Sequence, residues 1–112
     1  MADTDIPEIT AQEAYSAGQD LLLDVREQDE WQAGHAPGAL HIPLSTLGSR
    51  VDELPAAGRI MAICRMGGRS RTATGALIGA GFHVVNVEGG MLAWAAEDLP
   101  IVADDGLPGT VI

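Results

Sequence analysis

Three runs of apolar residues mark the chain: Leu21-Leu22-Leu23-Asp24-Val25, Ile60-Met61-Ala62-Ile63-Cys64 and Phe82-His83-Val84-Val85-Asn86-Val87. Short, nearly unbroken apolar runs of this kind suit strands covered on both faces. Ala39-Leu40-His41-Ile42-Pro43 reads as a briefer strand closed by proline. Helical spacing fills the intervals. Thr10-Ala11-Gln12-Glu13 has capping-box spacing and opens a short helix that Gly18 would end. The polar stretch from Arg26 to Trp31 suits a surface helix, and Gly34, Pro37 and Gly38 then punctuate a turn-rich connection. Further helices are predicted from Leu47 to Leu54, from Ser70 to Ile78 with Gly79 and Gly81 closing it, and from Met91 to Glu97. Strands alternating with helices predict an α/β domain on a mainly parallel sheet.

A chain of 112 residues with 46% hydrophobic content is enough for one domain with its own core. The expected division is an N-terminal segment over 1–8, a single domain over 9–103, and an irregular, mobile tail over 104–112. No apolar stretch approaches the roughly 20 residues that span a bilayer. The acidic start, Met1-Ala2-Asp3-Thr4-Asp5, lacks a signal-peptide pattern, so a cytoplasmic location is expected. Abundant alanine and glycine without lysine is the composition of a GC-rich bacterial gene. The expected assembly is a monomer or weak homodimer. A net charge of −10 disfavours nucleic acid and anionic membranes as partners.

The distribution of charge changes the picture. All six cations are arginine, and four of them (Arg59, Arg65, Arg69 and Arg71) fall between Leu54 and Val87, where no acidic residue occurs. An acidic protein with one cationic segment is equipped to capture a small anion. The single cysteine, Cys64, ends the second apolar run inside that segment and excludes an internal disulfide. By residue type alone a lone cysteine is more often a buried hydrophobe than a reactive centre. Its neighbours reverse that reading. Cys64-Arg65-Met66-Gly67-Gly68-Arg69-Ser70 runs from strand end to helix start, where ligands bind in open α/β sheets. The glycines allow a tight turn whose N–H groups point inward, and those donors, with nearby guanidinium groups, would stabilise a thiolate or a bound anion.

That loop resembles the active-site loop of rhodanese-like sulfurtransferases. Asp24-Val25-Arg26-Glu27, Glu30-Trp31 and the stretch from Gly34 to Leu44 are similar to the family's N-terminal signature, and Glu88-Gly89-Gly90-Met91-Leu92-Ala93-Trp94 resembles its C-terminal one. The resemblance implies a central five-stranded, mainly parallel sheet with helices on both faces. It also implies that Cys64 forms a persulfide and that residues 65 to 69 surround the sulfur. Arg65 and Arg69 would then orient an anionic donor such as thiosulfate. Met66 would either wall the pocket or fill a permissive position. Ser70 would cap the following helix or donate to substrate, while Asp24 and Arg26 would support the fold. An acceptor thiol, protein or cyanide would collect the sulfur. No metal or organic cofactor is implied.

Two other readings stand beside this one. Relatives that hydrolyse phosphate esters or reduce arsenate carry a loop one residue longer than the six positions from Cys64 to Arg69. A carrier or interaction module with little thiosulfate turnover would keep the fold and use a protein partner. His35, His41 and His83 lack zinc-ligand spacing. His35 and His41 are expected to bond backbone groups and His83 to face solvent, with Trp31 and Trp94 packing in the core or at its rim.

Overall fold

The three long apolar runs become the central strands of the domain, β2 (Leu21–Asp24), β4 (Arg59–Ile63) and β5 (His83–Val87), in a computed structural model that describes residues 6–112. Two short strands, β1 (Glu8–Ile9) and β3 (Leu40–His41), complete a five-stranded sheet. Its order is β1-β5-β4-β2-β3 and every pairing is parallel. The acidic stretch from Met1 to Asp5 lies outside the described residues. The edge strand β1 straddles the expected boundary at residue 9; two residues are too few to show a strand periodicity.

Alternation along each strand sends successive side chains to opposite faces. Leu23, Ile60, Ala62, Cys64 and Val84 join one core cluster with Leu47, Leu54, Ala73 and Leu77. Leu22, Met61, Ile63, Val85 and Val87 join the other, with Ala11, Ala14, Met91 and Trp94. Helices α1 (Ala11–Ser16) and α5 (Gly90–Ala96) therefore cover one face, and α3 (Leu44–Leu47) and α4 (Gly68–Gly79) the opposite one. The short α2 (Gln28–Ala33) buries none of its residues.

Helix boundaries shift by one or two residues at α2, which runs Gln28–Ala33 because Arg26 is buried against Asp24, and at α5, and they differ more instructively at two other places. Thr10 does cap α1, with its hydroxyl on the Glu13 amide and the Glu13 carboxylate on its own amide. The helix predicted from Leu47 to Leu54 is instead one turn over Leu44–Leu47 followed by a 3-10 turn, Val51–Glu53. Thr46 and Ser49 hydroxyls bond the carbonyls of Pro43 and Thr46, and Gly48 closes the turn, so local hydroxyl–carbonyl bonds compete with helix propagation. Helix α4 begins at Gly68 rather than Ser70, because Gly67 takes the capping position with a positive φ of 109°.

Asp24 and Arg26 are both fully buried and pair at 2.7 Å. The guanidinium also donates to the Gly34 carbonyl at 2.7 Å, fastening the start of the turn-rich segment to β2. That segment is held further by ring stacking: Trp31 lies 3.6 Å from His35 and 4.8 Å from His41 between centroids, with the ring planes nearly parallel. His35 Nδ1 meets the Trp31 carbonyl and His41 Nε2 the Arg26 carbonyl, both at 2.7 Å, so each of these nitrogens is a donor. His83 is exposed. The segment after Asp104 has no helix or long strand, yet backbone bonds hold it to the domain: Asp104 to Gln32, Gly109 to Ile101 and Thr110 to Ala33.

Arg26→Ala would leave the Asp24 carboxylate buried without its cation. The expected loss is about 3–5 kcal/mol of unfolding free energy, read from the urea midpoint at unchanged slope.

Candidate active site

Cys64 follows directly on β4 and is 1% exposed. The chain then turns sharply, and the turn is held from outside. The Cys64 carbonyl accepts from the Met91 amide at 2.7 Å and the Arg65 carbonyl from the Leu92 amide at 3.0 Å. Both donors belong to the first turn of α5, whose unpaired amides would otherwise need water. Only glycine fits at the crossing: a Cβ on Gly90 would collide with both carbonyl oxygens, and its φ is +57°. With the carbonyls drawn toward α5, the amides that follow face the sulfur.

The Gly67 amide lies 3.1 Å from Sγ and the Ser70 hydroxyl donates to Sγ at 3.2 Å. Burial pushes the thiol up, but the Ser70 hydroxyl and the Ser70, Gly67 and Met66 amides outweigh it and leave Cys64 below its ordinary value. Donors placed around a buried sulfur at a helix start favour the thiolate more than an ordinary cysteine environment does.

The expected loop residues gather around this sulfur with different roles. Met66 is 66% exposed and stands at the loop surface. Gly67 caps α4 and Gly68 opens it. Ser70, fully buried, lies inside α4 and turns its hydroxyl to Sγ, so it does not serve as the cap. Arg65 directs Nε to the main-chain oxygen of Ile112 at 2.8 Å. Arg69 forms a two-pronged pair with Glu30, Nη1 to Oε1 at 2.7 Å and Nη2 to Oε2 at 2.8 Å. Hydrogen bonds from Arg69 hold the Glu30 carboxyl down at about 2. Asp24 and Arg26 stand behind the site in their own buried pair.

Asn86 was not anticipated. Its amide donates to the Gly67 carbonyl at 3.2 Å and to Glu8 at 2.9 Å, bracing the turn from β5. The available signal was a polar residue inside the apolar run from Val84 to Val87, which must find partners when buried. Glu30 was noted only as part of a signature.

Residues 10–97 match the family described as Rhodanese-like domain. The chain belongs to that family. It is 39% identical over 87 residues to a protein named Sulfurtransferase from Allochromatium vinosum, covering 77% of this chain and 81% of that one. With the putative sulfurtransferase YtwF of Bacillus subtilis it shares 39% identity over 89 residues, 79% of this chain and 86% of that one. The putative sulfur carrier protein YrkF of the same organism is 39% identical over 98 residues, but this chain spans only 52% of its length. A rhodanese-related protein of Thermoplasma volcanium superposes with a TM-score of 0.82 at 33% identity, over 86% of this chain and 97% of that one. The five-stranded parallel sheet is thus the rhodanese-like fold. Among the described residues, no helix is long and apolar enough to cross a membrane, and no group of three or more His, Cys, Asp or Glu is placed to hold a metal ion.

Two outcomes follow for this rhodanese-like site. Ser70→Ala removes a donor from the thiolate, so the pH midpoint of Cys64 alkylation by iodoacetamide should rise. Glu30 has a folded value below its unfolded one, so its pairing stabilises the fold fully above the ordinary carboxylate range and less as the pH falls toward about 2. Acid unfolding followed by circular dichroism should therefore be shallower in Glu30→Gln.

Proposed function

We propose that this rhodanese-like domain is a sulfurtransferase in which Cys64 carries sulfane sulfur as a persulfide. The observation that carries the reading is the convergence of the Gly67 amide and the Ser70 hydroxyl on one buried sulfur at a strand end. Donors so arranged stabilise the thiolate that attacks, and the same cradle can hold the terminal sulfur of the product persulfide.

The reaction is a double displacement. The Cys64 thiolate attacks the outer sulfur of a donor such as thiosulfate; the bond from that sulfur to the sulfonate group breaks, and sulfite leaves with the electron pair. The terminal persulfide sulfur is then attacked by a thiol, a protein thiolate or cyanide, and the Cys64 thiolate is the leaving group. Neither half requires a metal or an organic cofactor. The Gly67 amide closes onto Sγ itself, which suits a single added sulfur better than a tetrahedral phosphate. A carrier role differs only in the acceptor, a protein thiol in place of a small nucleophile.

Intact-mass spectrometry tests the reading. Incubation with thiosulfate should add one sulfur atom that cyanide removes, and Cys64→Ala should gain none. No added sulfur with any sulfane donor, or full transferase activity in Cys64→Ser, would overturn it.

A further inference from the structure

The cationic segment read along the chain largely vanishes in three dimensions. Its arginines meet carboxylates from elsewhere: Arg59 pairs with Asp20 at 2.9 Å, Arg69 with Glu30 at 2.7 Å and Arg71 with Glu8 at 3.3 Å. Arg26 and Arg50 pair with Asp24 and Glu53. Among the described residues, Arg65 is the one arginine without an Asp or Glu partner, and its Nε meets the main-chain oxygen of Ile112 at 2.8 Å. The guanidinium closest in sequence to the helix start, Arg69, has both terminal nitrogens engaged by Glu30. Glu30 is itself fixed, since Oε1 also accepts the Glu27 amide at 3.0 Å. The Glu30 side chain is only 13% exposed and that of Arg69 36%, so water screens the pair less than it would a fully exposed one.

We propose that Glu30 is a specificity-determining residue that withholds Arg69 from dianionic donors and so favours sulfane donors of lower charge, such as persulfides and thiosulfonates of organic groups. The inference rests on Cys64 being the sulfur acceptor. Of the two loop arginines, Arg65 turns its Nε to the Ile112 main-chain oxygen and Arg69 forms a pair with Glu30 that has no net charge, so to use Arg69 a donor must share the fork with a carboxylate. The field of that carboxylate acts on a dianion with twice the energy it exerts on a monoanion at the same place. Met66, 66% exposed on the loop, offers an apolar contact that an organic substituent can use and a bare sulfonate cannot. For a monoanionic thiosulfonate the Cys64 thiolate attacks the outer sulfur, the sulfur–sulfur bond breaks, and a sulfinate leaves with the electron pair. One negative charge stays on the persulfide and one departs, so the step balances.

The experiment compares thiosulfate with methanethiosulfonate, a dianion and a monoanion with the same reacting sulfur, each rate divided by its uncatalysed rate with a small thiol. Wild type should favour methanethiosulfonate. In Glu30→Gln the ratio of kcat/KM values should move toward thiosulfate by about tenfold, mainly through KM for thiosulfate, and the shift should shrink as ionic strength rises. Glu30→Asp keeps the charge and should stay near the wild-type ratio; it also serves if the glutamine variant fails to fold. A ratio that stays fixed while both rates fall would mean that Glu30 merely buttresses the loop, and would overturn the proposal. So would a wild-type preference for thiosulfate. If neither donor adds sulfur to Cys64 in wild type, the persulfide reading and this proposal fall together.

Discussion

Two backbone hydrogen bonds, from the Met91 and Leu92 amides to the carbonyls of Cys64 and Arg65, decide how the loop after β4 faces. A peptide whose carbonyl is drawn to one side presents neighbouring N–H groups to the other, so this pair of bonds aims the loop's donors at Sγ. The crossing needs a residue without a Cβ at position 90, and the Gly67 turn needs positive φ. The first turn of α5 thereby has its own unpaired amides satisfied by the loop it organises. Asn86 closes the arrangement from the adjoining strand through the Gly67 carbonyl.

The electrostatics of the site come from dipoles more than from ions. Cys64 is buried, which by itself disfavours the thiolate, and the Ser70 hydroxyl with the loop amides reverses the balance. These groups are fixed before any substrate arrives, so they need not reorganise when charge develops on sulfur. The guanidinium groups are mostly spent on carboxylates: an acidic chain has an acid within reach of nearly every arginine. Arg69 and Glu30 join the loop to α2, coupling the sulfur site to the segment that Trp31, His35 and His41 stabilise by stacking.

That segment is anchored in turn by Arg26, buried against Asp24 and the Gly34 carbonyl. The last residues lie across the same region, with Thr110 bonded to Ala33 and Arg65 bonded to the Ile112 main chain. Parts of the chain that are far apart in sequence thus meet around one short turn.

The three central strands, the Thr10 cap and the strand-to-helix loop at Cys64 could all be read from the sequence, because each is a local pattern. Apolar runs, capping spacing and paired glycines report on residues only a few positions away. What the sequence left open depends on contacts at long range. A two-residue edge strand exists only because β5 offers it partners. The hydroxyl of Ser70 turns to sulfur instead of capping because Gly67 already holds the cap. The segment without acids looked cationic because charge counted along the chain ignores Asp20, Glu30 and Glu8, which folding brings beside Arg59, Arg69 and Arg71. The place of Cys64 at a strand end was determined by the sequence alone; the charge around it was decided by the tertiary structure, since Coulomb energy follows distance in space and not separation along the chain.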